Sequence, residues 1–233
     1  MSIPVVILAG GFGSRLKSVV SDVPKPLAPV NGRPFLYYCL SELISNNINN
    51  FVFSLFYEAG QIIDYIDELK LSLLAKCNVT YAIENEPLGT GGAIRYSINE
   101  ASIEGDFLVI NGDTFLTSGY KQMIEARSPA ICVVKVSDVS RYGTIELTEQ
   151  KLISKFLEKK PEKFAGLINA GLYRLNKDLF NMNENRPFSV EKDLFPGLAN
   201  RNILYAVEVI GEFIDIGIPE DYKRFCEIKS RNG

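Results

Sequence analysis

The sequence predicts an α/β fold, a mainly parallel sheet flanked by helices, on three observations. Apolar runs of strand length recur through about the first 140 residues, longer amphipathic segments separate them, and two glycine-rich loops each follow such a run. Strand candidates are 5–8, 51–56, 79–83, 107–110 and 131–136; helical candidates are 35–45, 59–74 and 92–100. In the first of these helices Leu36, Cys39, Leu40, Leu43 and Ile44 form one apolar stripe at helical spacing. Strands alternating with helices of this size imply βαβ crossovers, and ligands of such sheets bind beyond the carboxyl ends of the strands.

After Arg141 the pattern loosens into strand-like pieces at 144–147, 152–157, 167–174 and 203–209, around a helical stretch near 190–199. The chain then runs through Phe213-Ile214-Asp215-Ile216-Gly217 into a helix starting about Pro219, where proline and Glu220-Asp221 suit a first helical turn. We expect a single domain, 1–233, whose first half ends at about residue 140 and whose second half, about 141–233, forms a small lobe laid over the sheet edge. No internal repeat or low-complexity linker is visible.

A 46% hydrophobic content supplies a sizeable core, and a net charge of −3 offers no general attraction for nucleic acid or an anionic membrane. No run approaches the ~18 apolar residues of a membrane span, and no basic leader precedes the first apolar run. The four cysteines (Cys39, Cys77, Cys132, Cys226) lie far apart in apolar or helical stretches and read as buried free thiols of a reducing compartment. Together these place the protein in the cytoplasm. Histidine is absent altogether, which removes the usual general base, the Ser-His and Cys-His pairs and the commonest zinc ligand. The chemistry left is of the kind driven by positioning and by an oxygen-liganded metal.

Leu8-Ala9-Gly10-Gly11-Phe12-Gly13-Ser14-Arg15-Leu16 follows the first strand, and Pro24-Lys25-Pro26 comes soon after. Glycines let backbone N–H groups point at anionic oxygens, and Arg15 and Lys25 neutralise what charge remains, so a nucleoside triphosphate is the expected ligand. The spacing is neither that of a P-loop, which needs Lys-Ser/Thr after its last glycine, nor that of the dinucleotide fingerprint, since Leu16 stands at its third glycine. Asn111-Gly112-Asp113 ends a strand, and Asp215 repeats the arrangement before Gly217. Two such carboxylates suit a divalent ion bridging phosphates, most naturally Mg²⁺.

The second glycine-rich loop runs Glu84-Asn85-Glu86-Pro87-Leu88-Gly89-Thr90-Gly91-Gly92-Ala93. A carboxylate at its strand end, Glu84, matches the adjacent N1–H and N2–H₂ donors of guanine; uracil and thymine, one N–H between two acceptors, match it poorly. A solvated loop carboxylate is the plainer alternative. Phe156-Leu157-Glu158-Lys159 and Asn169-Ala170-Gly171 each close a strand-like run and offer a lysine for a phosphate and polar groups for sugar hydroxyls.

Taken in order, these motifs resemble the sugar-1-phosphate nucleotidyltransferases, the nucleoside-diphosphate-sugar pyrophosphorylases. The family's L-A-G-G-x-G-[ST]-R-L reads as Leu8 to Leu16, its P-K-P lysine as Lys25 and its E-P-L-G-T-[AG]-G-A as Glu86 to Ala93. Its metal aspartate reads as Asp113, its Y-G as Tyr142-Gly143, its F-x-E-K as Phe156 to Lys159 and its late D-x-G as Asp215 to Gly217. The resemblance implies the Rossmann-like nucleotide-diphospho-sugar transferase fold, with the first half binding nucleotide and the second binding sugar.

By the same resemblance Leu8, Ala9, Gly10, Gly11, Gly13, Ser14, Arg15, Lys25, Glu84, Gly89, Thr90 and Asp113 face the nucleotide. Gly112, Gly143, Glu158, Lys159 and Asn169 face the sugar, Asp113 and Asp215 hold Mg²⁺, and Arg15, Lys25, Asp113 and Lys159 are the catalytic set. Phe213 stands where the family often has Trp, and no carboxy-terminal β-helix accompanies the domain, so neither an acetyltransferase fusion nor an allosteric extension is expected.

The E-P-L-G-T-G-G-A form and compact length look most like D-glycero-α-D-manno-heptose 1-phosphate guanylyltransferases, which make GDP-heptose for surface polysaccharide of capsule, S-layer or lipopolysaccharide. Mannose-1-phosphate guanylyltransferases and N-acetylmuramate- or hexose-1-phosphate uridylyltransferases share most of the motifs and remain alternatives. A non-catalytic module would be expected to lose Arg15, Lys25 or one aspartate, and all are present. The expected partners are GTP and a sugar 1-phosphate, and a homo-oligomer is compatible with the sequence.

Overall fold

The computed structural model describes residues 3–157, 163–181 and 186–231. Its first half runs β1 (Val5–Leu8), β2 (Pro29–Val30), β3 (Arg33–Pro34), α1 (Phe35–Ser45), β4 (Asn50–Leu55), α2 (Ala59–Lys70), β5 (Asn78–Ile83), α3 (Gly89–Glu100), β6 (Asp106–Asn111), β7 (Thr114–Leu116), α4 (Tyr120–Glu125) and β8 (Ala130–Val136). The second half contributes β9 (Thr144–Leu147), β10 (Ile153–Leu157), β11 (Gly166–Asn176), α5 (Phe195–Asn200), β12 (Tyr205–Val209), β13 (Phe213–Asp215) and α6 (Pro219–Arg231).

Strands β6, β1, β4 and β5 pair in parallel, in that order, as the βαβ pattern required. Their side chains alternate between two cores. Val5 and Ile7 face the apolar sides of α1 and α2, whereas Val6 faces Ile94 and Ile98 of α3 and Phe195 of α5. A sheet buried on both faces explains why its strands read as unbroken apolar runs. A third, smaller core joins Phe35 of α1, Phe115 of β7, Ile214 and Ile216 beside β13, and Phe225 of α6.

The second half differs from the lobe expected over the sheet edge. Its strands continue the same sheet, because β11 is long enough to pair antiparallel with β6 through Leu172 to Asn176 and with β8 along its other side. Strand β9 joins β11 at Ile168, β10 follows β9, and β12 runs parallel to β8. Beyond its parallel centre the sheet is therefore mixed. The strands β7 and β13 and the hairpin β2–β3 are too short to have left a periodic signal.

Strand β11 shifts register between Asn169 and Tyr173, and Gly171 there has φ of +71°. A Cβ at Gly171 would lie 2.7 Å from Asn111 Nδ2 and 3.0 Å from Thr114 Oγ1. This bend lets β11 clear the end of β6, where Asn111 and Asp113 sit. All four cysteines are free; Cys39 and Cys132 are buried, while Cys77 and Cys226 are half-buried. Among the described residues no helix is long and apolar enough to cross a membrane. Gly171→Ala combines left-handed strain with crowding, and is expected to cost on the order of 2 kcal/mol, read as a fall of ~4–8 °C in melting temperature.

Candidate active site

A cleft of about 350 Å³ opens at the carboxyl ends of β1, β4, β5 and β6. Leu8, Ala9, Gly10, Gly11 and Phe12 form one side, Glu84 and Pro87 to Thr90 another, and Asn111, Gly112, Asp113 and Lys25 one end. Nine of the residues expected to face the nucleotide thus meet here, and Gly112, expected to face the sugar, joins them. Gly13, Ser14 and Arg15 stand off the wall: Gly13 packs on the Lys25 side chain, Ser14 is exposed, and Arg15 turns toward Gly217 and Asp215.

The acidic end is built by backbone pairing. Strand β13 runs antiparallel to β7 with Asp215 opposite Thr114, and Ile216 N–H donates to the Asp113 carbonyl at 3.0 Å. The two aspartates from opposite halves of the chain are thereby held as neighbours. Burial pushes the Asp215 carboxyl above its ordinary range and the charge of Asp113 pushes it further, while the Gly217 N–H, at 2.7 Å, Lys25 and Arg15 pull it back. Lys25 Nζ donates to Asp113 Oδ2 at 2.7 Å. Among the described residues no group of three or more His, Cys, Asp or Glu side chains converges. Two carboxylates forced together against their repulsion nevertheless fit a small, hard divalent ion that completes its shell with phosphate oxygens and water.

At the opposite end Glu84 is 8% exposed. Its Oε1 accepts from Ser54 Oγ at 3.2 Å and its Oε2 from the Leu88 N–H at 3.1 Å. Burial raises its carboxyl above the usual value, opposed by those two donors. Glu84 is thus neither a solvated loop carboxylate nor a free one: it braces its own loop, and each oxygen keeps a further lone pair for a ligand. Gly89 opens α3 with φ of +70°, and a Cβ there would strike the Phe188 carbonyl at 2.6 Å. That carbonyl accepts from Gly91 N–H at 2.8 Å, and Phe188 N–H donates to the Leu88 carbonyl at 3.0 Å.

The segment around Phe188 also carries Glu191, a cleft residue that the sequence reading missed. Thr90 Oγ1 donates to Glu191 Oε2 at 2.6 Å and accepts from Val190 N–H at 3.1 Å. Ser189-Val190-Glu191 offers no glycine or strand end to flag it, and with Lys192 and Asp193 directly after, Glu191 reads as one of a solvated charge run. Asn169 lies off the cleft wall, donating to the Tyr173 hydroxyl at 2.9 Å and accepting from Gly171 N–H at 2.8 Å. Gly143 packs on the Leu157 carbonyl at the end of β10. Glu158 and Lys159 lie outside the described residues.

A glycine loop, a lysine and paired carboxylates around one cleft at the carboxyl edge of a parallel sheet are the parts of a phosphate-handling α/β enzyme. The chain belongs to the nucleotidyl transferase family, whose model matches residues 4–228. It is 39% identical over 225 residues to a D-glycero-α-D-manno-heptose 1-phosphate guanylyltransferase of Campylobacter jejuni subsp. jejuni serotype O:2, covering 94% of this chain and 97% of that one. It is 33% identical over 228 residues to the mannose-1-phosphate guanylyltransferase catalytic subunit beta of Drosophila pseudoobscura pseudoobscura, covering 93% of this chain but 60% of that protein. The crystal structure of HddC from Yersinia pseudotuberculosis, also solved in complex with GMP-PN, superposes with a TM-score of 0.84 at 39% identity, over 97% of this chain and 99% of that one.

Because the Asp113 charge helps to hold the Asp215 carboxyl high, Asp113→Asn is expected to bring the Asp215 titration down toward the ordinary carboxylate range in metal-free protein. Carboxyl-carbon NMR checks the direction, and an upward or absent shift would separate the two side chains.

Proposed function

We propose that the protein joins D-glycero-α-D-manno-heptose 1-phosphate to GTP, giving GDP-heptose and pyrophosphate. The observation that carries the reaction is the Lys25–Asp113 pair at one end of a cleft whose side is the loop Leu8 to Phe12, with Asp215, and Arg15 turned toward it, close by off the cleft wall. The choice of substrates is supported by likeness to a heptose 1-phosphate guanylyltransferase over nearly its whole length, and by a structural neighbour solved with GMP-PN. Both substrates are small phosphorylated metabolites, which suits a cytoplasmic enzyme.

A phosphate monoester with a second pKa of about 6 is already mostly dianionic at neutral pH. Its oxygen attacks the α-phosphorus of GTP in line, the α–β bridging P–O bond breaks, and pyrophosphate leaves with that bond's electrons. No proton has to be removed, so a chain without histidine is chemically equipped for the step. The difficulty is bringing two anions together. In this reading Lys25 and Arg15 offset their repulsion, and the backbone N–H groups of Gly10 and Gly11 face the phosphates. Asp113 and Asp215 would hold Mg²⁺, which supplies further neutralisation of the transferring phosphate. Lys159 would hold the sugar phosphate, with Glu158, Gly143 and Asn169 toward the sugar.

Pyrophosphate release from GTP, UTP, CTP and dTTP, with heptose, mannose and other hexose 1-phosphates and Mg²⁺, tests the proposal. Turnover is expected with GTP and the heptose phosphate; mannose 1-phosphate as the better substrate would redirect the assignment, and no turnover with any pair would leave a binding module. Asp113→Asn should keep its fold by circular dichroism and lose about 100-fold or more in turnover. Glu84→Gln exchanges two acceptors for an acceptor and a donor, the pattern that uracil matches. Its kcat/KM ratio for GTP over UTP is expected to fall by roughly tenfold or more, and an unchanged ratio would remove Glu84 from base reading.

A further inference from the structure

Three carboxylates stand on the cleft wall: Asp113 beside Lys25, Glu84 at the base end, and Glu191, to which the reaction above gives no task. Glu191 lies in the single π-helical turn Val190–Leu194, where the Phe195 N–H reaches back to the Val190 carbonyl. Such widened turns recur where a side chain has to be aimed. Oε2 is fully engaged, accepting from Thr90 Oγ1 at 2.6 Å and Ser189 Oγ at 2.7 Å. Among the described residues Oε1 receives the Tyr173 hydroxyl at 3.4 Å, long for an O–H···O bond. Tyr173 is wholly buried, and its hydroxyl also takes the Asn169 amide. The carboxylate is therefore fixed by two short bonds through one oxygen, while the other, with a single long contact, keeps acceptor capacity.

What that oxygen accepts follows from charge. Phosphates are anions and repel it, and in the reading above the donors of a guanine edge go to Glu84, at the head of the loop that carries Thr90. Hydroxyl groups remain, and Glu191 is coupled through Tyr173 to Asn169 on β11, the strand whose Asn-Ala-Gly the resemblance places toward the sugar. Resting on the nucleotidyl-transfer reading above, we propose that Glu191 Oε1 accepts a ring hydroxyl of the sugar 1-phosphate and so sets which sugars the enzyme uses. A site built to bond a hydroxyl strongly rejects an analogue that lacks it, because its own acceptor is then left unpaired.

The test is kinetic, on the full chain with Mg²⁺. Wild type and Glu191→Gln are compared on heptose 1-phosphate, on mannose 1-phosphate and its monodeoxy analogues, and with GTP against 2′-deoxy-GTP; melting temperatures are measured alongside. Wild type is expected to lose about tenfold or more in kcat/KM on one deoxy analogue. Glu191→Gln should lose about tenfold on the parent sugars, lose nothing further on that analogue, and keep its KM for GTP within about twofold. If the amide unfolds the turn, Glu191→Asp, which keeps the charge and shortens the reach, carries the same comparison. Losses that simply add, or a KM for GTP that rises in step with that for the sugar, would make Glu191 a tether for Thr90 and overturn the proposal. So would loss of discrimination against 2′-deoxy-GTP, which would assign the carboxylate to ribose. Wild type inactive across the panel would instead overturn the reaction, and this assignment with it, so the two failures are distinct.

Discussion

The architecture turns on an electrostatic imposition: two aspartates that repel one another are fastened side by side by the backbone beneath them. The pairing of β13 with β7 and the Ile216 to Asp113 hydrogen bond set their positions, and the small core around Phe35, Phe115 and Phe225 holds that pairing in place. Without a cation the repulsion is answered by Lys25 and by a raised Asp215 carboxyl. Apolar packing elsewhere in the molecule therefore supports a local arrangement that is unfavourable on its own, as is usual where charge must be concentrated for chemistry.

Most of the fold was legible because its centre obeys local rules. Strands buried on both faces read as apolar runs, the α1 stripe reads at helical spacing, and the carboxyl-edge position of the loops follows from parallel crossovers. Helix ends were read less well: α2 stops at Lys70 and α3 starts at Gly89, since end positions depend on contacts such as that between Gly89 and Phe188. The place of β11 was not legible. Whether a strand lies over a sheet or inside it is decided by pairing partners far away in sequence, and nothing in Gly166 to Asn176 names β6 and β8 as those partners.

The site divides in the same way. Residues at strand ends that open glycine-containing loops, such as Gly10, Glu84 and Asp113, announced themselves through spacing. Glu191 did not, because its significance lies in hydrogen bonds to Thr90 and Tyr173, which belong to other elements. Arg15 shows the converse: its motif was plain, but the turn after Gly13 directs it to Asp215 rather than to the wall of the cleft.

The fastening between Phe188 and the Leu88 to Gly91 loop has an evolutionary corollary. Those bonds run from main chain to main chain, so their strength is indifferent to which side chains the strap bears. Residues along the strap can drift while the main-chain fastening stays as it is. A scaffold wired in this manner lends itself to diversification by exchange of one short stretch of peptide.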